Sequence, residues 1–413
     1  MQETTQRQQA QRALMALAVA VLLAMAPWFT TAALVAPLRQ AWHVSGSGAA
    51  WLTIAAQLGF VAGALAVALS NVADRVAPRW LILSGGLAAA AANAAIALCH
   101  SFGGAWPWRF VTGACLALVY PPALKLMATW FRARRGMALG VMVGALTVGA
   151  ALPHLAAALG GADWHAVVWI TSALTAAGGL WGGLAGAEGP YPFVRARFAW
   201  NAVRRLWQQR GVRLAIGGYL GHMWELIAMW SWIGLFLADA CARAGVGPAA
   251  AAGITFGVIA VGGVGCWWGG VLSDRGGRER AAATAMAFSG TCALTLGWIR
   301  GSSPWALAAV IAVAGVWGFW VVADSAQFSA LVTELADPHY VGTALTLQLG
   351  LGFTLACITI WILPWLQVRL GWAGAFLALV PGPALGIAAM IRLGRWRARR
   401  PRSEPGSYAA TIR

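Results

Sequence analysis

Uninterrupted apolar stretches of about twenty residues alternate along this chain with short polar clusters. The stretches cover roughly 13–36, 49–70, 80–99, 104–127, 136–159, 165–186, 213–238, 248–272, 281–299, 304–328, 341–363 and 371–392. Each is long enough to cross the hydrocarbon core of a bilayer as a helix, which takes ~20 residues. The runs are continuous and lack the alternate-residue period of a barrel strand. They predict an all-α polytopic membrane protein with twelve transmembrane helices, numbered here span 1 to span 12.

Composition agrees. Hydrophobic residues make up 60% of the 413 and charged residues only 10%, against about 25% charged in soluble chains. A water-compatible surface cannot be built from this, which excludes ordinary soluble enzymes, nucleic-acid-binding domains and disordered proteins. The net charge of +17 would suggest nucleic acid in a soluble protein, but its placement points elsewhere. Of the 29 basic residues, 23 lie at or beside the segments on the side of the two termini, and four (Arg39, Arg243, Arg300 and Arg369) on the other. By the positive-inside rule both termini are cytoplasmic, which suits an inner (plasma) membrane protein. The segment between spans 10 and 11 is the exception, with Glu334, Asp337 and His339 and no Lys or Arg. Polar Met1–Arg12 runs straight into span 1 with no small-residue cleavage site, so no cleaved signal is expected. The six cysteines form no CxxC pair and read as small buried residues. No metal site and no cofactor are expected.

The longest connection, 187–212, divides the chain into a six-helix half at 1–186 and a second at 213–393, followed by a basic cytoplasmic tail at 394–413. The connection holds Gly189-Pro190-Tyr191-Pro192 and then Arg195, Arg197, Arg204, Arg205 and Arg210. Within it, 193–209 mixes Trp and Phe with Arg, which suits either a helix on the inner membrane surface or a solvated basic linker. The halves echo each other. Ser70-Asn-Val-Ala-Asp74-Arg75-Val-Ala-Pro-Arg79 follows span 2, and Gly270-Val-Leu-Ser-Asp274-Arg275-Gly-Gly-Arg278 follows span 8. Two halves related by an axis along the membrane normal form a transporter architecture.

These residues resemble the major facilitator superfamily, whose loop signature is G-x-x-x-D-R-x-G-R. Gly270, Asp274, Arg275, Gly277 and Arg278 match it fully. The first copy departs, with Ser70 for the glycine and Ala77-Pro78 for Gly-Arg, although Arg79 follows. Arg109-Phe-Val-Thr-Gly113 resembles the family's R-x-x-x-G element in span 4, and Trp130-Phe-Arg-Ala-Arg-Arg135-Gly136 its loop into span 5. The resemblance covers all twelve spans and implies a secondary transporter working by alternating access. It also implies that Asp74, Arg75, Arg79, Asp274, Arg275 and Arg278 form a conformational latch. The Gly-Pro signature of many drug-proton antiporters in the family has no counterpart in span 5, where His154 follows Pro153.

Ionisable residues inside a span are expensive and face a cavity by default. Four qualify: Arg109 and Lys125 in span 4, Glu225 in span 7 and Asp324 in span 10. Glu225 is mid-span, too deep to reach the surface, and shares a helical stripe with His222 and Trp232. In low-dielectric surroundings such a carboxyl can bind and release protons near neutral pH; the alternative is a structural hydrogen-bond pair. Arg109 either snorkels, receives an anionic substrate or tunes a carboxylate, with Tyr120 on the same face. Lys125, the only lysine, and Asp324 occupy similar depth in equivalent spans, which suggests a charge pair across an inner gate; otherwise each is satisfied in its own half. Asp324 shares a stripe with Trp317 and Trp320, so Tyr120, Trp232, Trp317 and Trp320 are candidate cavity-lining residues.

The residues together point to a transporter of a small organic solute, a carboxylate or an amphipathic aromatic, coupled to protons. The alternatives are an uncoupled uniporter or exchanger and a non-transporting receptor. No HExxH, catalytic Ser-His-Asp spacing or metal-ligand cluster suggests an enzyme. The expected partners are the small-molecule substrate, protons and the lipid bilayer, with no nucleic acid, and the chain is read as a monomer.

Overall fold

The computed structural model describes residues 2–70, 72–131, 135–160, 163–191 and 200–399. Among these every regular element is helical. Span 1 is Gln2–Ala24, prolonged by the short turn Thr30–Ala33. Its break falls around Pro27, where the missing N–H and the ring interrupt the helical ladder. Then come span 2 at Gly46–Ser70, span 3 at Pro78–Leu98, span 4 at Phe102–Ala128, span 5 at Arg135–Gly160 and span 6 at Trp164–Ala185. Spans 7 to 10 are Arg210–Arg243, Pro248–Gly276, Arg278–Leu296 and Pro304–Leu335. Spans 11 and 12 are Val341–Leu377 and Pro381–Ala398.

Nine helical stretches among the described residues are long and apolar enough to cross a membrane by length and composition. One of them, Val341–Ala398, holds both spans 11 and 12. Span 1 and span 9 begin with polar residues and complete the twelve.

The two halves pack alike. In the first, span 1 lies on span 6, span 2 on span 4, and span 3 on span 6; in the second, span 7 lies on span 12, span 8 on span 10, and span 9 on span 12. Small residues set the close approaches, as interhelical contact in lipid favours. A side chain on Gly59, Gly63 or Gly113 would collide with the facing backbone of spans 2 and 4; so would one on Gly265, Gly269 or Gly318 in spans 8 and 10. Spans 4 and 10 both start on a serine cap: Ser101 accepts from the Gly104 N–H and Ser303 from that of Ala306. Both also break midway, at 117–119 just before Pro121-Pro122 and at 321–324, where no proline stands.

Two seams join the halves: span 2 against span 11 and span 5 against span 8. Both are closed along their length. Gly140 lies against Cys266 and Gly144 against Gly263. Between spans 2 and 11 a cavity of about 10 Å³ remains, lined by Ala64, Leu65, Thr346 and Gly350 among others. That is room for about one water. Large apolar residues such as Trp305, Leu184 and Val368 are exposed around the bundle, where lipid tails cover them. In the long connection, Trp200–Gln208 is a helix with Ala202 and Leu206 buried and Arg204 and Arg205 exposed, resting on spans 7 and 11. The rest of the predicted surface segment, 193–199, lies outside the described residues.

Candidate functional site

The second half holds an acid-base cluster in its interior. Glu225, 1% exposed, accepts hydrogen bonds from Trp317 Nε1 at 2.7 Å and from Ser289 Oγ at 2.9 Å. One partner comes from span 10 and the other from span 9, so three helices converge on one carboxyl. His222, one turn earlier in span 7, turns away from Glu225. Its Nδ1 lies 2.8 Å from Asp324 Oδ1, a close polar contact without the alignment of a hydrogen bond. Its Nε2 pairs with Ser325 Oγ at 2.8 Å. Asp324 stands at the N-terminal end of the helical segment Ser325–Leu335 but makes no capping bond. The break in span 10 therefore aims its carboxyl at the imidazole. Among the described residues neither Glu225 nor Asp324 meets an Arg or Lys side chain.

In the first half Arg109 is fully buried, so it does not snorkel. Its guanidinium donates to the carbonyls of Pro27 at 2.8 Å, Trp28 at 2.7 Å and Leu52 at 3.3 Å, and to Asn93 Oδ1 at 3.4 Å. Asn93 in turn donates to Thr171 and Ser172 of span 6. A planar, permanently charged fork suits this task. At the break in span 1 the Pro27 carbonyl has only a long bond from the Thr30 N–H at 3.3 Å, and Arg109 serves it and the Trp28 carbonyl.

That break delivers Trp28 and Phe29 to the place where the halves meet. Trp28 lies tilted against Phe60 of span 2 at 4.8 Å between centroids and stacks with Phe353 of span 11 at 5.8 Å; Phe60 and Phe353 are 5.1 Å apart and tilted. Phe29 meets Trp230 of span 7 edge-on at 5.6 Å. Trp28 Nε1 donates to Gln57 Oε1 at 2.9 Å. The buried Gln57 Nε2, Trp230 Nε1 and His154 Nε2 make no hydrogen bond with the protein.

The face that carries the basic loops has an ion network. Arg278 Nε donates to Glu334 at 2.6 Å, and Arg397 bridges Glu334 at 2.8 Å and Glu279 at 2.9 Å. The network ties together the ends of spans 9, 10 and 12. It accounts for the acidic exception noted between spans 10 and 11, because Glu334 answers two arginines. Asp274 sits beside Gly136, close to the N-terminal end of span 5 in the other half, where a negative charge is favourable. Arg275 is exposed. In the first copy Arg75 is exposed and Arg79 lies 4.9 Å over the Trp80 ring; the side chain of Asp74 lies outside the described residues. Asp337 caps the turn Pro338–Tyr340, and the backbone N–H and ring of His339 hold its carboxyl below the usual value.

The remaining candidates fall apart from one another. Trp232 donates to the Ile360 carbonyl of span 11 at 3.1 Å. Tyr120 is half-buried against the central core. Trp320 turns aside from Trp317 and stacks on Phe288 at 4.7 Å. Lys125 is half-buried in span 4, while the close partner of Asp324 is His222 in its own half. Pattern reading passed over Ser289, Ser325, Asn93 and Arg397. The signal for the first three is a small polar residue within an apolar run; for Arg397 there is only its place in a basic tail.

The family model of the Major Facilitator Superfamily matches residues 17–359. Among solved structures, the chain is similar to a bacterial homolog of the human lysosomal transporter Spinster, solved in an inward-facing and unoccupied conformation. The TM-score is 0.65 with 14% identity, over 94% of this chain and 96% of that one. No curated protein sequence matches. The match spans most of the chain, and the paired halves, the two seams and the Asp274-Arg275 loop fit it: the chain belongs to the Major Facilitator Superfamily of transporters.

Proposed function

We propose that this protein moves a small organic solute across a plasma (inner) membrane by alternating access, and that protons drive it. Residues 1–186 and 213–393 rock as two bodies about the seams, with 187–212 as the link and both termini cytoplasmic. The observation that carries the reading is the pairing of Glu225 and His222–Asp324 deep in the second half with no Lys or Arg beside either carboxylate. Burying an uncompensated carboxylate is expensive, so closure of the bundle around this cluster favours proton uptake, and opening favours release. Glu225 is the proton carrier and His222–Asp324 relays or shares the charge. Trp317 holds the Glu225 carboxyl, and Trp232 and Tyr120 shape the surrounding wall.

Arg109 acts as a positioning residue that fixes Trp28 at the seam. The loop residues Asp274, Arg275 and Arg278, with their counterparts Asp74, Arg75 and Arg79, set the balance between inward-open and outward-open forms. The test is uptake into proteoliposomes with and without an imposed pH gradient. Accumulation only with the gradient supports the reading; equal equilibration in both makes the protein a uniporter.

A further inference from the structure

We propose that the seam holds a binding site for a planar aromatic solute that carries acceptor oxygens, such as an aromatic carboxylate. The proposal rests on the transport reading above and names its substrate class. The site draws Trp28, Gln57 and Phe60 from the first half and Phe353 from the second, with Trp230 of the second half joined to them through Phe29, so its occupant touches both moving bodies.

Two features fix the chemistry. The first is the ring set. Trp28, Phe60 and Phe353 lie within 4.8–5.8 Å of one another across the seam, at spacings typical of stacking aromatics. Trp28 and Phe353 are near-parallel at 24°, and Phe60 is tilted to them at 34° and 53°, so parting the set offers a flat ring both ring faces and ring edges. The second is the polarity of the unspent hydrogen-bonding groups. Gln57 is 0% and Trp230 2% exposed, and Gln57 Nε2 and Trp230 Nε1 have no protein partner. Both are donors, and the one carbonyl oxygen of Gln57 already accepts from Trp28. Buried donors left unsatisfied are costly, and nearly all in folded proteins are paired. A solute offering acceptor oxygens satisfies them.

An aromatic cage alone would also suit an organic cation. Here the two unspent N–H groups point the other way, since a cation brings donors or nothing to them. No charged side chain belongs to the ring set, so an anionic solute is held by neutral donors. Its charge is then balanced by the proton carried in the second half.

The test uses the purified full-length chain in detergent and follows its melting temperature with benzoate and indole-3-acetate. Cyclohexanecarboxylate and benzyltrimethylammonium serve as the saturated-acid and aromatic-cation controls. Both aromatic acids are expected to raise the melting temperature, as a ligand of the folded state does, and to bind more tightly than either control. Trp230→Phe keeps an aromatic ring, smaller than the indole, and removes the donor. It should weaken both acids by about fivefold or more, the worth of one hydrogen bond. Phe353→Leu should erase the preference over cyclohexanecarboxylate. Failure of both acids to bind, stronger binding of either control, or unchanged affinity in Trp230→Phe overturns the proposal. If proteoliposomes then take up another solute under a pH gradient, the transport reading stands and only the substrate class falls. If the acids bind as expected but no solute is moved, the site stands and the transport reading falls.

Discussion

Arg109 donates to the carbonyl of Trp28 at 2.7 Å and to that of Pro27 at 2.8 Å. A charged group deep in span 4 thus serves a break in span 1, and the break places an indole ring on the line where the two halves meet. Removing the guanidinium takes the charged donor from the buried Trp28 and Pro27 carbonyls and from Asn93 Oδ1. Arg109→Gln should destabilise the purified protein by about 2–4 kcal/mol, read as a lower melting temperature. Arg109→Lys should recover only part of this, because an ammonium cannot span the same carbonyls. A variant that melts normally but loses uptake would show instead that Arg109 meets the solute directly.

Glu225→Gln keeps an acceptor for Trp317 and a group that Ser289 can bond. The variant should fold with a melting temperature close to the parent and lose pH-driven accumulation, while solute exchange across the membrane persists. Normal gradient-driven accumulation in this variant would remove Glu225 from the coupling.

His222 and Asp324 should behave as one unit. Asp324→Asn and His222→Gln are each expected to impair gradient-driven uptake. The double variant should do little more than either alone, since contacting residues are non-additive. Additive effects would separate their roles. The charge swap of Lys125 with Asp324 belongs in the same experiment: partial recovery of transport in the double swap would support a pair across the gate in another conformation.

Glu334 accepts from both Arg278 and Arg397. Half-exposed ion pairs contribute little to stability, about 1 kcal/mol or less each, so Glu334→Gln should leave the melting temperature almost unchanged. What should change is the conformational balance, read as labelling rates of single cysteines placed at each end of the seams. Unchanged labelling on both sides would reduce the network to a fixed strut of the second half.

The helices were legible because a bilayer demands long apolar runs and the breaks between them are polar. The repeat was legible because Asp274-Arg275 echoes Asp74-Arg75. Pro27 and Pro121-Pro122 mark two of the helix breaks by the loss of a donor. The break at Val321–Asp324 carries no such mark, and it is the one that turns Asp324 toward His222. Spacing puts His222 and Glu225 on one face of span 7, which suggested a pair. Their true partners come from spans 9 and 10, and which neighbour a side chain meets in a bundle depends on how helices rotate against each other. Arg109 shows the same limit. Its place inside span 4 was readable and left snorkelling open, but the carbonyls that bury it lie in spans 1 and 2, up to 82 positions away along the chain.

Coupling of solute to proton movement is tested most directly with proteoliposomes that enclose a pH-sensitive dye, to which a transported solute is added with no initial gradient. The internal pH should shift as the solute moves, and the shift should disappear in Glu225→Gln. Solute movement with a flat dye signal in the parent protein would contradict it.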